Sequence, residues 1–119
     1  MEPGHFRCVK AYSTPYPDSI LFRVGEVVIA GEEYDQDPSW KGWIRCQGAE
    51  DQAAWIPVQY LQIENSQGIL LRDFDARELN LKVDEIVMVY DVVNGFGMAE
   101  NQNGETGWVP LNHLEPISQ

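Results

Sequence analysis

Apolar residues in this chain fall in short runs and alternations, and nowhere in the three-to-four-residue rhythm of a helix. Glu26-Val27-Val28-Ile29-Ala30 and Glu85-Ile86-Val87-Met88-Val89-Tyr90 are β-branched or apolar runs, while Trp43-Ile44-Arg45-Cys46 and Phe96-Gly97-Met98-Ala99 alternate between faces. Turn residues separate these runs at short intervals, so the pattern predicts an all-β chain of short strands. Asn103-Gly104, between Met98-Ala99 and Trp108-Val109, predicts a tight hairpin because both residues tolerate positive φ. The aligned pair Glu50-Asp51 predicts a turn of another conformation. Pro57 and Pro110 stand where a strand has just ended, and each predicts one tight helical turn before a last short strand.

The pattern occurs twice. Trp55-Ile56-Pro57-Val58-Gln59-Tyr60-Leu61 is answered by Trp108-Val109-Pro110-Leu111-Asn112-His113-Leu114, an offset of 53 that also relates Gly42-Trp43 to Gly95-Phe96. Upstream, Phe22-Arg23-Val24-Gly25-Glu26 matches Leu81-Lys82-Val83-Asp84-Glu85 at 59, and Tyr12 matches Phe74 at 62. The first copy therefore carries six extra residues between Glu26 and Trp43, and about three in the loop before Phe22. Polar Glu64-Asn65-Ser66-Gln67-Gly68 is the expected boundary, giving domains at 6–64 and 67–117, each near the lower size for unaided folding.

The net charge of −11 is shared between the copies, with no cluster of Lys and Arg, which makes nucleic acid a poor partner. Nothing in the first residues reads as an export signal and no apolar run could span a membrane, so a cytoplasmic protein without membrane contact is expected. In that setting Cys8 and Cys46 are expected as free thiols in the core of the first copy. They lack the CxxC spacing of zinc or redox sites. His5, in a start expected to be disordered, and His113 have no nucleophile or paired acid arranged by sequence, so no enzyme is expected. Asp35-Gln36-Asp37 after Glu32-Glu33 lacks the spaced ligands and glycine of a calcium loop; no metal or other cofactor is predicted.

Five short strands per copy, a long loop after the first, a hairpin in the middle and the ending W-[IV]-P-x-x-[YH]-L resemble the Src-homology-3 (SH3) domain, over nearly the whole chain and twice. The segments Ile20-Leu21-Phe22-Arg23-Val24-Gly25-Glu26 and Glu78-Leu79-Asn80-Leu81-Lys82-Val83-Asp84-Glu85 resemble the family's "E-L-S-F-x-x-G-D" stretch, and Gly107-Trp108-Val109-Pro110-Leu111-Asn112-His113-Leu114 its closing motif. The arrangement is also similar to small bacterial proteins built of two variant SH3 repeats. The resemblance implies two small five-stranded β-barrels in tandem, and a shallow aromatic groove that holds a ligand in polyproline II form beside an acidic loop that holds its Arg or Lys.

Carried over position by position, the resemblance gives the first copy a peptide-binding groove of Tyr12, Trp43, Pro57 and Tyr60, with Lys10 replacing the family's first tyrosine. Tyr16 extends the groove, and Trp40 stands beside the acidic loop. The second copy has Phe74, Phe96, Pro110 and His113 at the groove positions and Arg72 at the first, a set that has lost the indole and phenol donors. Asp18, Glu32, Glu33, Asp35 and Asp37 are the carboxylates available for a basic ligand residue. Trp55 and Trp108 read as core or partly buried. The expected activity is binding of an extended, proline-containing basic peptide through the first copy, by a protein that is monomeric or weakly self-associating. Two alternatives stand beside it: an assembly module whose divergent grooves serve in domain or subunit packing, and, weaker, a cell-wall-binding SH3-like domain.

Overall fold

The computed structural model describes residues 4–15, 20–49 and 52–117. The strands are β1 (Gly4–Cys8), β2 (Leu21–Phe22), β3 (Val27–Glu33), β4 (Trp43–Gln47), β5 (Ala53–Pro57), β6 (Leu61–Glu64), β7 (Gln67–Leu70), β8 (Phe74–Asp75), β9 (Ile86–Val93), β10 (Phe96–Glu100), β11 (Thr106–Pro110) and β12 (Leu114–Pro116). Single 3-10 turns cover Pro38–Trp40, Val58–Tyr60 and Leu111–His113, and there is no α-helix among the described residues. The all-β expectation holds, as do the tight turns after Pro57 and Pro110.

The chain divides into two compact units, and they are not the contiguous 6–64 and 67–117. One unit joins Met1–Asp18 to Arg77–Gln119, and the other is Ser19–Ala76. In the first, the sheet order is β11-β10-β9-β1-β12, so the chain's opening strand lies between strands of the second sequence copy. In the second, the order is β5-β4-β3-β7-β6, and the opening strand of copy two lies between strands of copy one. The two copies have exchanged their first strands.

The backbone shows why both placements satisfy the chain. Cys8 N–H donates to Glu85 O at 2.8 Å and Cys8 O accepts from Asp84 N–H at 2.8 Å; Leu70 N–H donates to Glu26 O at 2.9 Å and Leu70 O accepts from Gly25 N–H at 2.7 Å. These bonds correspond one for one under the sequence offsets. Beyond the strands, Tyr12 bridges to Leu81 as Phe74 pairs with Phe22. His5 pairs with Met88 within β1, so it belongs to a strand and not to a disordered start.

Three turns explain the connections. Glu64-Asn65-Ser66-Gln67-Gly68 is no linker: Glu64 pairs with Gln67, and Asn65 takes a left-handed φ of 57° in the tight turn from β6 to β7. The two-residue turn with positive φ at both positions is Asn94-Gly95 (φ 48° and 82°), joining Val93 to Phe96. Asn103-Gly104 instead lies in a longer hairpin loop, in which Asn101 N–H donates to Glu105 O at 2.9 Å, Gly104 N–H donates to Asn101 O at 3.1 Å, and only Gly104 has positive φ. The Asn101 side chain wins there, because its Oδ1 accepts from the N–H groups of Asn103 and Glu105, both at 3.0 Å. The Glu50-Asp51 turn falls outside the described residues.

Each unit has its own buried set. Cys8, Leu79, Leu81, Val87, Val89, Ala99 and Val109 form the core of the discontinuous unit, with Phe6, Tyr12, Val92, Leu111 and Leu114 packed against it. In the continuous unit Phe22, Val28, Ile44, Cys46, Ala54, Ile56, Leu61 and Leu70 are buried. Both cysteines are free and buried, as expected, but Cys8 sits in the core of the unit built mainly from copy two.

Candidate interaction surface

The exchange redistributes the expected groove residues. Phe74, brought in just after β7, stands 5.5 Å from the Tyr60 ring, edge to face, and 6.4 Å from Trp43. The guanidinium of Arg72 lies over Tyr60, 4.5 Å from the ring centre. Tyr12 belongs to the other unit, where it meets His113 edge to face at 5.4 Å. The expected set of Tyr12 with Trp43, Pro57 and Tyr60 is therefore not formed, because the first strand carries Tyr12 into the sheet of copy two.

Neither aromatic set is open. Trp43, Tyr60 and Phe74 are 6 %, 8 % and 4 % exposed, and Pro57 is fully buried. Phe96, Pro110 and His113 are also buried in the discontinuous unit. His113 Nδ1 is 3.0 Å from Lys10 O, and its main-chain oxygen accepts from Val9 N–H at 2.8 Å. Tyr12 is half-buried, and its hydroxyl donates to Glu78 Oε1 at 2.6 Å. Thr14 Oγ1 donates to the same oxygen at 2.6 Å. Burial pushes the Glu78 carboxyl above its ordinary value, against the two hydrogen bonds, which act to lower it.

The accessible chemistry lies where copy one carries its six extra residues. Copy two makes the Asn94-Gly95 turn; copy one runs from Tyr34 to Trp43, closed by Tyr34 N–H donating to Trp43 O at 2.8 Å, and Gly42 keeps the positive φ (101°) of Gly95. The loop is built by its own residues. Asp37 caps the Pro38–Trp40 turn by accepting from Ser39 N–H at 2.9 Å, and Glu33 Oε2 accepts from Gly42 N–H at 3.2 Å. A register shift between Ala30 and Glu33 bends the strand that leads into it.

Tyr34 is the centre of this loop. Its ring meets Trp55 edge to face at 5.3 Å and Trp40 at 5.9 Å with a 37° tilt, and all three are half-buried. Two hollows share Glu33, Tyr34 and Asp35. One, of about 330 Å³, is also lined by Glu32, Gln36, Arg45 and Trp55; the other, of about 460 Å³, by Asp37, Pro38 and Lys41. Arg45 lies 5.5 Å over the Trp55 ring. Four carboxylates against Lys41 and Arg45 leave the surface acidic. Of the residues expected to act together, Glu32, Glu33, Asp35 and Asp37 line these hollows, whereas Trp40 lines neither and meets the Tyr34 ring. Tyr34, Trp55 and Arg45 were missed as site residues: Tyr34 sits in the very run that was read for its charges, and Trp55 follows a strand pattern that reads as core. Tyr16 and Asp18 lie outside the described residues. Among the described residues no group of three or more His, Cys, Asp and Glu side chains is placed to hold a metal ion.

Each unit is built on a five-stranded antiparallel sheet, an all-β architecture compatible with a small SH3-like β-barrel. Residues 68–117 match the family model of the variant SH3 domain, which supports an SH3-like domain in this chain. SH3 domains are in general non-catalytic modules that bind proteins or peptides. The match begins on β7 and β8, which fold into the unit Ser19–Ala76, and continues through the strands of the other unit. A comparison with curated proteins found no match.

Proposed function

We propose that this chain is a tandem SH3-like interaction protein that takes a basic, extended segment of a partner protein on the loop around Tyr34. The supporting observation is the pair of hollows that share Tyr34, Glu33 and Asp35 beside the half-buried rings of Trp40 and Trp55. Flat rings suit proline, which has no side-chain donor, and the carboxylates suit Arg or Lys. In this reading Glu32, Glu33, Asp35 and Asp37 hold the basic group, and the rings hold the residues next to it. The buried side chains of Trp43, Pro57 and Tyr60 take no part in direct contact.

The test is a titration of the full chain with a peptide containing Pro and Arg, followed by backbone amide and indole shifts. Shifts at Tyr34, Trp40 and Trp55 are expected, lost in Glu33→Gln with Asp35→Asn and weakened by salt. Shifts confined to Trp43, Tyr60 and Phe74 would return the ligand to the groove, and no shift at all would sink peptide binding.

A further inference from the structure

The exchanged first strands raise the question of what selects them, since the main-chain bonds do not. A contiguous pairing, with Cys8 on Gly25 and Glu26 and with Leu70 on Asp84 and Glu85, would repeat the same backbone bonds that the exchanged pairing makes. Side chains tell the two apart. Tyr12 and Thr14 bring hydroxyls, and copy two meets them with Glu78, which accepts from both, and with Asn80, whose Oδ1 accepts from Thr14 N–H at 2.8 Å. Copy one has Ser19 and Leu21 at those places, with neither a carboxylate nor an amide. In the reciprocal position Phe74 and Ala76 bring no hydroxyl, and Glu78 would be half-buried without its two donors.

Two further contrasts point the same way. Arg7 faces Glu115 across β1 and β12, with Nε 3.4 Å from Oε1, whereas its counterpart Ile69 faces Val27 and Gln62. Gly68 corresponds to Phe6, and a Cβ at Gly68 would already come within 3.3 Å of Leu61 Cδ2 and 3.5 Å of Val28 Cγ2. An aromatic ring does not fit there unless the neighbours move.

We infer that side chains, and not the order of the chain, select the pairing of the first strands, and that this selection keeps Tyr12 away from Trp43 and Tyr60 by seating Phe74 there instead. The contiguous pairing would return Tyr12 to that cluster and complete the residue set of the family's groove. The device is a choice between two pairings with equal backbone bonding, biased by Glu78, Asn80, Glu115 and Gly68.

The full chain carries its own test. Glu78→Ser, Asn80→Leu and Glu115→Gln give copy two the residues of copy one, and Phe6→Gly removes the ring that the Gly68 position does not admit, so this variant lacks the whole bias. In the wild type, an amide contact from Tyr12 to Leu81 is expected by nuclear Overhauser effect and none to Phe22; in the variant, a Tyr12–Phe22 contact and a second Trp43 indole signal are expected to appear. Cysteine pairs give an independent readout that survives poor spectra. His5→Cys with Met88→Cys reports the exchanged pairing, and His5→Cys with Ile29→Cys the contiguous one, because Ile29 corresponds to Met88. Only the first pair should oxidise in the wild-type background, and both should oxidise in the background of the four-residue variant. Retention of the exchanged pairing alone in the variant, by either readout, overturns the inference, as does ready oxidation of the 5–29 pair in the wild-type background.

Discussion

The Tyr12 hydroxyl donates to Glu78 Oε1 at 2.6 Å, tying the first segment of the chain to the start of the last one. The carboxylate that accepts it is held above its ordinary pKa by burial. A carboxyl raised on folding stabilises the folded chain when protonated, so its contribution is fully present below the unfolded pKa and is lost as pH rises through the folded one. In Glu78→Gln the amide oxygen still accepts from Tyr12 and Thr14 without a buried charge. Relative to the wild type, the variant is expected to gain stability between pH 4 and pH 7, where the other carboxylates ionise alike in both proteins. Urea unfolding at several pH values checks this; a difference that shrinks with rising pH would mean that the hydrogen bonds outweigh burial.

Gly107 is a packing requirement. Trp108 N–H donates to Arg77 O at 2.9 Å, and Leu79 N–H donates to Trp108 O at 3.1 Å, which draws the two segments together. A Cβ on residue 107 would lie 2.9 Å from Leu79 Cγ and 3.1 Å from Arg77 O, so the backbone must shift to admit it. Gly107→Ala is expected to destabilise by roughly 1–3 kcal/mol, the usual range for overpacking. A midpoint of urea unfolding equal to that of the wild type would show that the segments yield easily.

The two thiols are expected to be inert in the folded protein. Cys46 is 1 % exposed and burial pushes its pKa up to about 11, while Cys8 is fully buried and raised for the same reason. Reagents that need thiolate should titrate no cysteine in native buffer and both after denaturation. Rapid reaction of one thiol in native buffer would identify a locally open unit.

Much of the architecture was legible in the sequence. The strands and the 3-10 turns after Pro57 and Pro110 follow from alternation and turn chemistry. The exchange was not legible from periodicity, since Tyr12 matches Phe74 and either ring satisfies the same main-chain partners. Its signal lay in side chains of unequal chemistry, Glu78 and Asn80 against Ser19 and Leu21. The site was half legible: charge marked Glu33 and Asp35, but only the path of the loop shows that Tyr34 joins Trp40 to Trp55. The expected groove failed because it joined Tyr12 to Trp43 by family position, whereas the first strand takes Tyr12 elsewhere.

Asp84 occupies, at φ 73°, the place that Gly25 fills in the other copy at φ 86°. The left-handed region costs an ordinary L-residue about 1–2 kcal/mol, less for aspartate, while glycine loses roughly 0.5–1 kcal/mol more chain entropy on folding. These terms nearly cancel, and removal of one negative charge from a chain of net −11 tips the balance toward the variant. Asp84→Gly is therefore expected to be at least as stable as the wild type, with a gain of about 0.5 kcal/mol that fades as salt screens the charge. Gly25→Asp, which adds both the strain and the charge, should destabilise by about 1 kcal/mol or more. Paired urea curves with equal slopes check both changes. A loss of stability in Asp84→Gly would show that the aspartate side chain supports its own turn.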